Sequence, residues 1–361
     1  MNKLNKAPKL LATVFTVIIL LSCFQTTVRA QSNLNPIVVL YDASHAPQFA
    51  ADSEDQGLKL MLDMVNSSTR YIVRVNEDQP LNKTLLNGVD VLIEASPDAS
   101  SPFSNEELSA ITEMMKNGSS LFILGDPAIS QESTYWSESQ LQDMGDNIAL
   151  NRFLDGLNMT GPRFSINATQ TDNYSDIMFD YDNAVNSTYP WVIHLDATTW
   201  DISHPIFRNI NDLYTMTATF KPISLPSGIG KSYKNSFAQY KMDATTWANW
   251  SLPNKTIYES NPLAYSAVNA TFPSWLSAYE HGSSRVVISG STIMFTGRPI
   301  DIPSTELHWF YMGDNARLFM NIIGWLTENF VTAPSAIVPM LAISSAFLVV
   351  GVAFYLVKKF R

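Results

Sequence analysis

Unbroken apolar runs alternate with one-sided apolar stretches over the first third of the chain. Pro36-Ile37-Val38-Val39-Leu40-Tyr41 is short and continuously apolar, which predicts a strand buried on both faces. From Gly57 to Val65, apolar residues at 58, 60, 61, 62 and 65 predict a helix. Tyr71 to Val75 is β-rich and alternating, and Gly88 to Glu94 predicts a third strand. Ser104-Asn105-Glu106-Glu107 has the spacing of a capping box, in which the serine hydroxyl takes the Glu107 amide and the Glu107 carboxylate reaches back. The helix it starts carries Leu108, Ile111, Met114 and Met115 on one side and ends near Gly118. Ser120 to Leu124 predicts the fourth strand.

The same pattern returns late in the chain. Arg285–Ser289 reads as a buried strand, and Asp314–Glu328 as an amphipathic helix carrying Leu318, Phe319, Ile322, Ile323, Trp325 and Leu326. Strands and helices alternating in this way predict an α/β fold, a doubly wound and mostly parallel sheet covered on both faces. A middle region, 128–282, interrupts it and predicts β-rich excursions packed on one sheet edge. That region holds six of the eight tryptophans and repeats Asp-Ala-Thr-Thr-Trp at 196 and 243. Its tryptophans could stack on sugars or fill a core.

The two ends change the picture from a soluble domain to an anchored one. Lys3, Lys6 and Lys9 precede an apolar run, Leu10–Leu21, and Val28-Arg29-Ala30 places small residues around a cleavage point. This predicts a secretory signal peptide over 1–30; Leu20-Leu21-Ser22-Cys23 is a loose lipobox within it. A transmembrane helix is expected at 335–357, where Ile337–Val357 has no charged residue. Lys358, Lys359 and Arg361 follow, which puts 358–361 on the cytoplasmic side. The expected product is a single-pass membrane protein with an extracellular domain at 31–332.

That domain carries 16 basic residues against 33 acidic ones, a net charge of −17. Such a surface argues against nucleic acid and against adhesion to anionic lipid. Cys23 is the only cysteine, so the mature domain has no disulfide, thiolate metal site or cysteine nucleophile. A disulfide-free secreted domain of this size suits an archaeal or bacterial surface protein. Sequons begin at Asn66, Asn82, Asn117, Asn158, Asn167, Asn173, Asn186, Asn249, Asn254 and Asn269. These ten exceed the roughly four or five that composition would give and predict a glycoprotein, which favours the archaeal source.

In open α/β sheets ligands bind beyond the carboxyl ends of the strands. Those ends bring Asp42 and His45, Ser96 and Asp98, Gly125 and Asp126, and Gly290 and Ser291 towards one rim. Asp42, His45, Asp126 and Ser291 are the candidate ligand-binding residues. Asp42, His45 and Asp126 could hold a divalent cation or serve acid–base chemistry. Equally, aspartate and serine at strand ends cap helices and tie turns. His194 reads as a strand residue, and His204, before Pro205, as the start of a turn. No zincin helix, P-loop, GxSxG elbow or GxGxxG turn is present, so no cofactor and no resident metal are implied.

The order of Ile37–His45, Phe103–Glu107, Leu121–Asp126, His204–Ile210, Arg285–Phe295 and Asp314–Leu326 resembles the class I glutamine amidotransferase-like superfamily. Within it, the chain is similar to the non-catalytic branch of intraflagellar-transport-type domains and of extracytoplasmic proteins linked to gliding-type ABC transport. The resemblance implies a flavodoxin/amidotransferase-like sheet. In catalytic members a cysteine would follow the strand Leu121–Leu124 and a histidine a later strand. Here Gly125-Asp126 and Ser289-Gly290-Ser291 stand in those places, so transfer through a thioester is excluded. The leading expectation is therefore a membrane-anchored recognition module for a small polar ligand, a glycan or a partner protein, and not an enzyme. Two alternatives are a hydrolase using Asp42, His45 and Asp126, with or without a metal, and an accessory subunit of an ABC-type transport complex.

Overall fold

A computed structural model describes residues 36–129, 133–166, 174–221, 228–240, 264–266 and 274–328. The expected signal peptide, the stretch 335–357, the tail 358–361, the second Asp-Ala-Thr-Thr-Trp copy and the sequons at 167, 173, 249, 254 and 269 lie outside these residues. Among the described residues no helix is long and apolar enough to cross a membrane.

Within the unit Pro36–Glu328, strands β1 (Ile37–Asp42), β2 (Tyr71–Asn76), β3 (Val91–Ala95) and β4 (Ser120–Leu124) form where expected. They build a sheet with β8 (Gly228–Lys231), β11 (Ser274–His281) and β12 (Ser284–Ser289). Its order is β2-β1-β3-β4-β12-β11-β8. The first five strands of that order run parallel; β11 is antiparallel to β12, and β8 is antiparallel to β11. Burial of every residue of β1, β3 and β4 explains their continuous apolar sequences, because helices cover both faces.

Side chains alternate across the sheet and so serve two cores. Leu40, Leu92, Leu121, Ile123 and Ile288 pack with Ile111 and Met114 of α2 (Asn105–Lys116) and with Leu150 and Phe153 of α3 (Ile148–Gly156). On the opposite face Phe122 meets Phe319 of α4 (Asn315–Leu326), with ring centroids 5.5 Å apart. α1 (Lys59–Asn66) contacts α4.

The capping box forms as its spacing predicts. Ser104 Oγ accepts the Glu107 amide at 3.2 Å, and Glu107 Oε2 accepts the Ser104 amide at 2.8 Å. Gly118 closes the same helix at φ +98°, a left-handed conformation that glycine adopts without strain. Replacing Ser104 with Ala is expected to lower stability by about 1 kcal/mol, read as a shifted urea midpoint with unchanged slope.

The middle region, expected to be β-rich, also holds helical turns. Its described residues contain α3 and three short 3-10 turns, Thr134–Ser137, Ser139–Asp143 and Pro205–Phe207. The turn-forming Gly145-Asp146-Asn147 and Gly156 bracket so short a helix that its period is hard to see. Nor is the region only an excursion, since β8 and β11 extend the main sheet. Smaller sheets, β10-β9-β5 and β6-β7, complete it: β5 (Asp176–Phe179), β6 (Ile193–Asp196), β7 (Asp212–Thr215), β9 (Phe237–Tyr240) and β10 (Ala264–Ser266). Trp191, Trp200 and Trp275 are buried and fill a core, whereas Trp136 is half-buried. His194 lies half-buried in β6, and His204 caps the 3-10 turn Pro205–Phe207.

Candidate functional site

The carboxyl ends of β1, β3, β4 and β12 do lie along one rim, and the four candidate residues sit there. None of them is exposed. They divide into two hydrogen-bonded groups and one local turn.

The first group is built on β1. Asp42 accepts from His45 Nδ1 at 2.5 Å, Ser44 Oγ at 2.8 Å and Asn76 Nδ2 at 2.7 Å. His45 stacks on Phe103, with ring centroids 3.9 Å apart, and its Nε2 faces Glu107 Oε1 at 3.5 Å. Burial disfavours the imidazolium, but the hydrogen bond and charge of Asp42, joined by Glu107, outweigh it and raise the His45 pKa. For Glu107, burial works against ionisation, yet the bonds from Ser104 and the Leu81 amide hold its pKa below the usual value. Glu94, from β3, lies nearby. It is 1 % exposed and its Oε1 has no hydrogen-bond partner; burial, then Asp42 and Glu107, push its pKa well up.

The second group is centred on Asp126, just past β4. Its Oδ1 accepts the amides of Thr292 and Ile293, each at 3.0 Å, and its Oδ2 takes the Ser96 hydroxyl. Ser96 holds φ at +43°, a conformation costing on the order of 1 kcal/mol for a residue with a Cβ. Burial raises the Asp126 pKa to about 7 despite these bonds. Asn147 clamps the Asp126 backbone, accepting its amide at 3.2 Å and donating to its carbonyl at 2.8 Å. Ser291 serves neither group: its Oγ accepts the Met294 amide at 3.2 Å, which starts the turn Ile293–Phe295.

No hydrogen bond joins Asp126 to Asp42 or His45 among the described residues. The trio invoked for a hydrolase is thus split between two strand ends, while Glu94 and Glu107 stand beside His45. The lone glutamate in the apolar run Val91–Ala95 was the sequence signal for Glu94. For Glu107, the capping box explained the residue fully and concealed its second contact.

At the elbow after β4, Gly125 is held in a crowded place. A Cβ there would lie 2.5 Å from the Phe164 ring and 2.7 Å from Asn147 Oδ1. Gly290, after β12, is equally enclosed, with the Ala218 carbonyl oxygen 2.1 Å from its would-be Cβ. A side chain at either glycine would therefore meet backbone or neighbouring side chains. Beside the elbow is a small cleft of about 40 Å³, lined by Gln48, Ser96, Asp98, Asp143, Asp146 and Asn147 among others. Burial, with Asp143 and Asp98 adding negative charge, raises the Asp146 pKa to about 6.

No protein-family model and no curated protein matches the sequence. Among solved structures, the chain is similar to a ThuA-like protein from Bacteroides uniformis at 12 % identity, over 81 % of this chain and 91 % of that one, with a TM-score of 0.42. It is also similar to a cytoplasmic protein from Salmonella typhimurium, at 10 % identity over 80 % and 98 %, TM-score 0.40. A ThuA-like protein from Parabacteroides merdae matches at 11 % identity over 83 % and 92 %, TM-score 0.37.

Proposed function

We propose that the chain is a membrane-anchored extracellular recognition module on a non-catalytic amidotransferase-like scaffold, and that its strand-end cleft takes a positively charged group of a partner protein. The observation that carries this reading is the closed elbow: Gly125 has no room for a nucleophile, and the space beside it is lined by carboxylates. A cleft of about 40 Å³ is far below the roughly 300–1,000 Å³ that encloses a drug-sized ligand. It suits the tip of a lysine or arginine side chain presented from outside. The domain's charge of −17 would steer such a partner towards it. Exposure of Asn66, Asn82, Asn117, Asn158 and Asn186 supports the extracellular, glycosylated part of the reading.

The full chain in detergent is expected to capture a basic membrane or secreted partner in a salt-sensitive way. The double variant Asp98→Asn, Asp146→Asn should weaken capture at least tenfold, on the order of 1.4 kcal/mol or more. Because protonation removes negative charge from the cleft, capture should also fade as pH drops through about 6. Equal capture by the double variant, at low and high salt alike, would rule the cleft out as the docking point.

A further inference from the structure

Beneath the rim, the Asp42–His45 pair has a neighbour that no protein group satisfies. Glu94 is 1 % exposed, its Oε1 lacks a partner, and one donor atom from each of Asp42, His45 and Glu94 lies within 4.8 Å of the others. A carboxylate taken out of water without a partner is costly, and proteins meet the cost by pairing it, protonating it or giving it a cation. We infer that Asp42, His45 and Glu94 form a buried site for a divalent transition-metal ion.

The donor set fits that class. One imidazole nitrogen with two carboxylates suits Zn²⁺, Mn²⁺ or Fe²⁺, whereas Ca²⁺ asks for six to eight oxygens and Mg²⁺ keeps several waters. The surroundings fit as well. Glu107 stands 3.5 Å from His45 Nε2, where its carboxylate favours a proton on that nitrogen, so that Nδ1 is the nitrogen free to give up its proton and ligate an ion. A carboxylate behind a ligating histidine is the usual outer support of such ions. Phe103, stacked on the imidazole, fixes the ring plane. On binding, the ion displaces the proton on His45 Nδ1 and the one that burial keeps on Glu94, and its two charges then balance the Asp42 and Glu94 carboxylates. Metal bonds of about 2.0–2.2 Å require donors closer than 4.8 Å, so binding draws the Glu94 carboxylate in towards His45 and Asp42. All three residues are at least nine-tenths buried, so the ion is structural and ties β1 to β3. It uses none of the cleft carboxylates and stands independently of the recognition reading.

The test takes the purified full chain, strips it with a chelator, and titrates Zn²⁺, Mn²⁺ and, for contrast, Ca²⁺, reading calorimetry and melting temperature. One equivalent of Zn²⁺ or Mn²⁺ should bind and raise the melting temperature, with Ca²⁺ much weaker. Glu94→Gln should lose at least about tenfold in affinity, while its metal-free melting temperature stays at or above that of the metal-free wild type, since a neutral amide replaces a desolvated carboxyl. If Glu94→Gln does not fold, His45→Gln is read for the same loss of affinity. Absence of transition-metal binding by the wild type, preference for Ca²⁺, or unchanged affinity in a folded variant would overturn the assignment.

Discussion

Gly125→Cys is expected to destabilise the protein by about 3 kcal/mol or more and to produce no glutamine hydrolysis, although it puts a thiol at the elbow. The new Cβ would sit 2.5 Å from Phe164 Cε1, inside van der Waals contact, and Phe164 is itself fully buried. Overpacking of a tight core costs about 1–3 kcal/mol, occasionally more. Here the same atom also comes within 2.7 Å of Asn147 Oδ1, which accepts the Asp126 amide; forcing Asn147 aside leaves a buried donor unpaired, for about 1–3 kcal/mol further. Gly125→Ala carries the same Cβ and should account for most of the loss. Urea unfolding with an unchanged slope measures it. A cost below about 1 kcal/mol for the alanine variant would show that the elbow is roomier than its contacts indicate. The expected absence of hydrolysis rests on Ser289-Gly290-Ser291, which offers no base, and on the backbone carbonyl of Ala218, which closes over Gly290.

Asp126→Asn is expected to stabilise the protein relative to wild type at neutral and higher pH and to lose that advantage in acid. The Asp126 carboxyl titrates near 7 in the folded state because burial disfavours its charge, against about 3.8 when unfolded. Below about pH 4 the group is neutral in both states and costs nothing. Between about 4 and 7 the unfolded chain ionises freely while the folded one retains its proton, so wild-type stability declines; above about 7 the contribution levels off. A separation of about three pKa units corresponds to a ceiling on the order of 4 kcal/mol. Asparagine keeps an oxygen for the Thr292 and Ile293 amides, and its NH₂ can donate to Ser96 Oγ. The difference in unfolding free energy between variant and wild type, followed from pH 4 to 8, should grow and then flatten. A flat difference across that range would mean that Asp126 is ionised throughout.

The parts of the fold that could be read from sequence are those whose pattern is set by local geometry. β1, β3, β4 and β12 are continuous apolar runs because both their faces are covered, and α2 announces itself through Ser104, Glu107 and Gly118. β11 is harder to read. Ser274–His281 mixes serine, tyrosine and glutamate with tryptophan and leucine, and its place is fixed by pairing with β12, not by its own period. The site divides in the same way. Chain order puts Asp42, Asp126 and Ser291 at strand ends, which is all that a strand-end rule can deliver. Which of them touch depends on loop paths: Asp126 is drawn to the amides of Thr292 and Ile293, and His45 to α2. Glu94 is less legible because a residue inside a strand reads as part of the wall, although a single charge among Val91, Leu92, Ile93 and Ala95 is a local conflict that usually has a reason.

β12 lies between β4 and β11, and Val286 to Ser289 pair with Leu121 to Leu124. Until Arg285 and its followers leave the ribosome, β4 has a naked hydrogen-bonding edge of five apolar or small residues, Ser-Leu-Phe-Ile-Leu. Pairing across such a sequence distance is slow, and an open apolar edge invites association with other chains. Newly made protein would therefore need a holding partner until its last strand arrives, and truncation before residue 284 should yield insoluble material however intact the first four strands are.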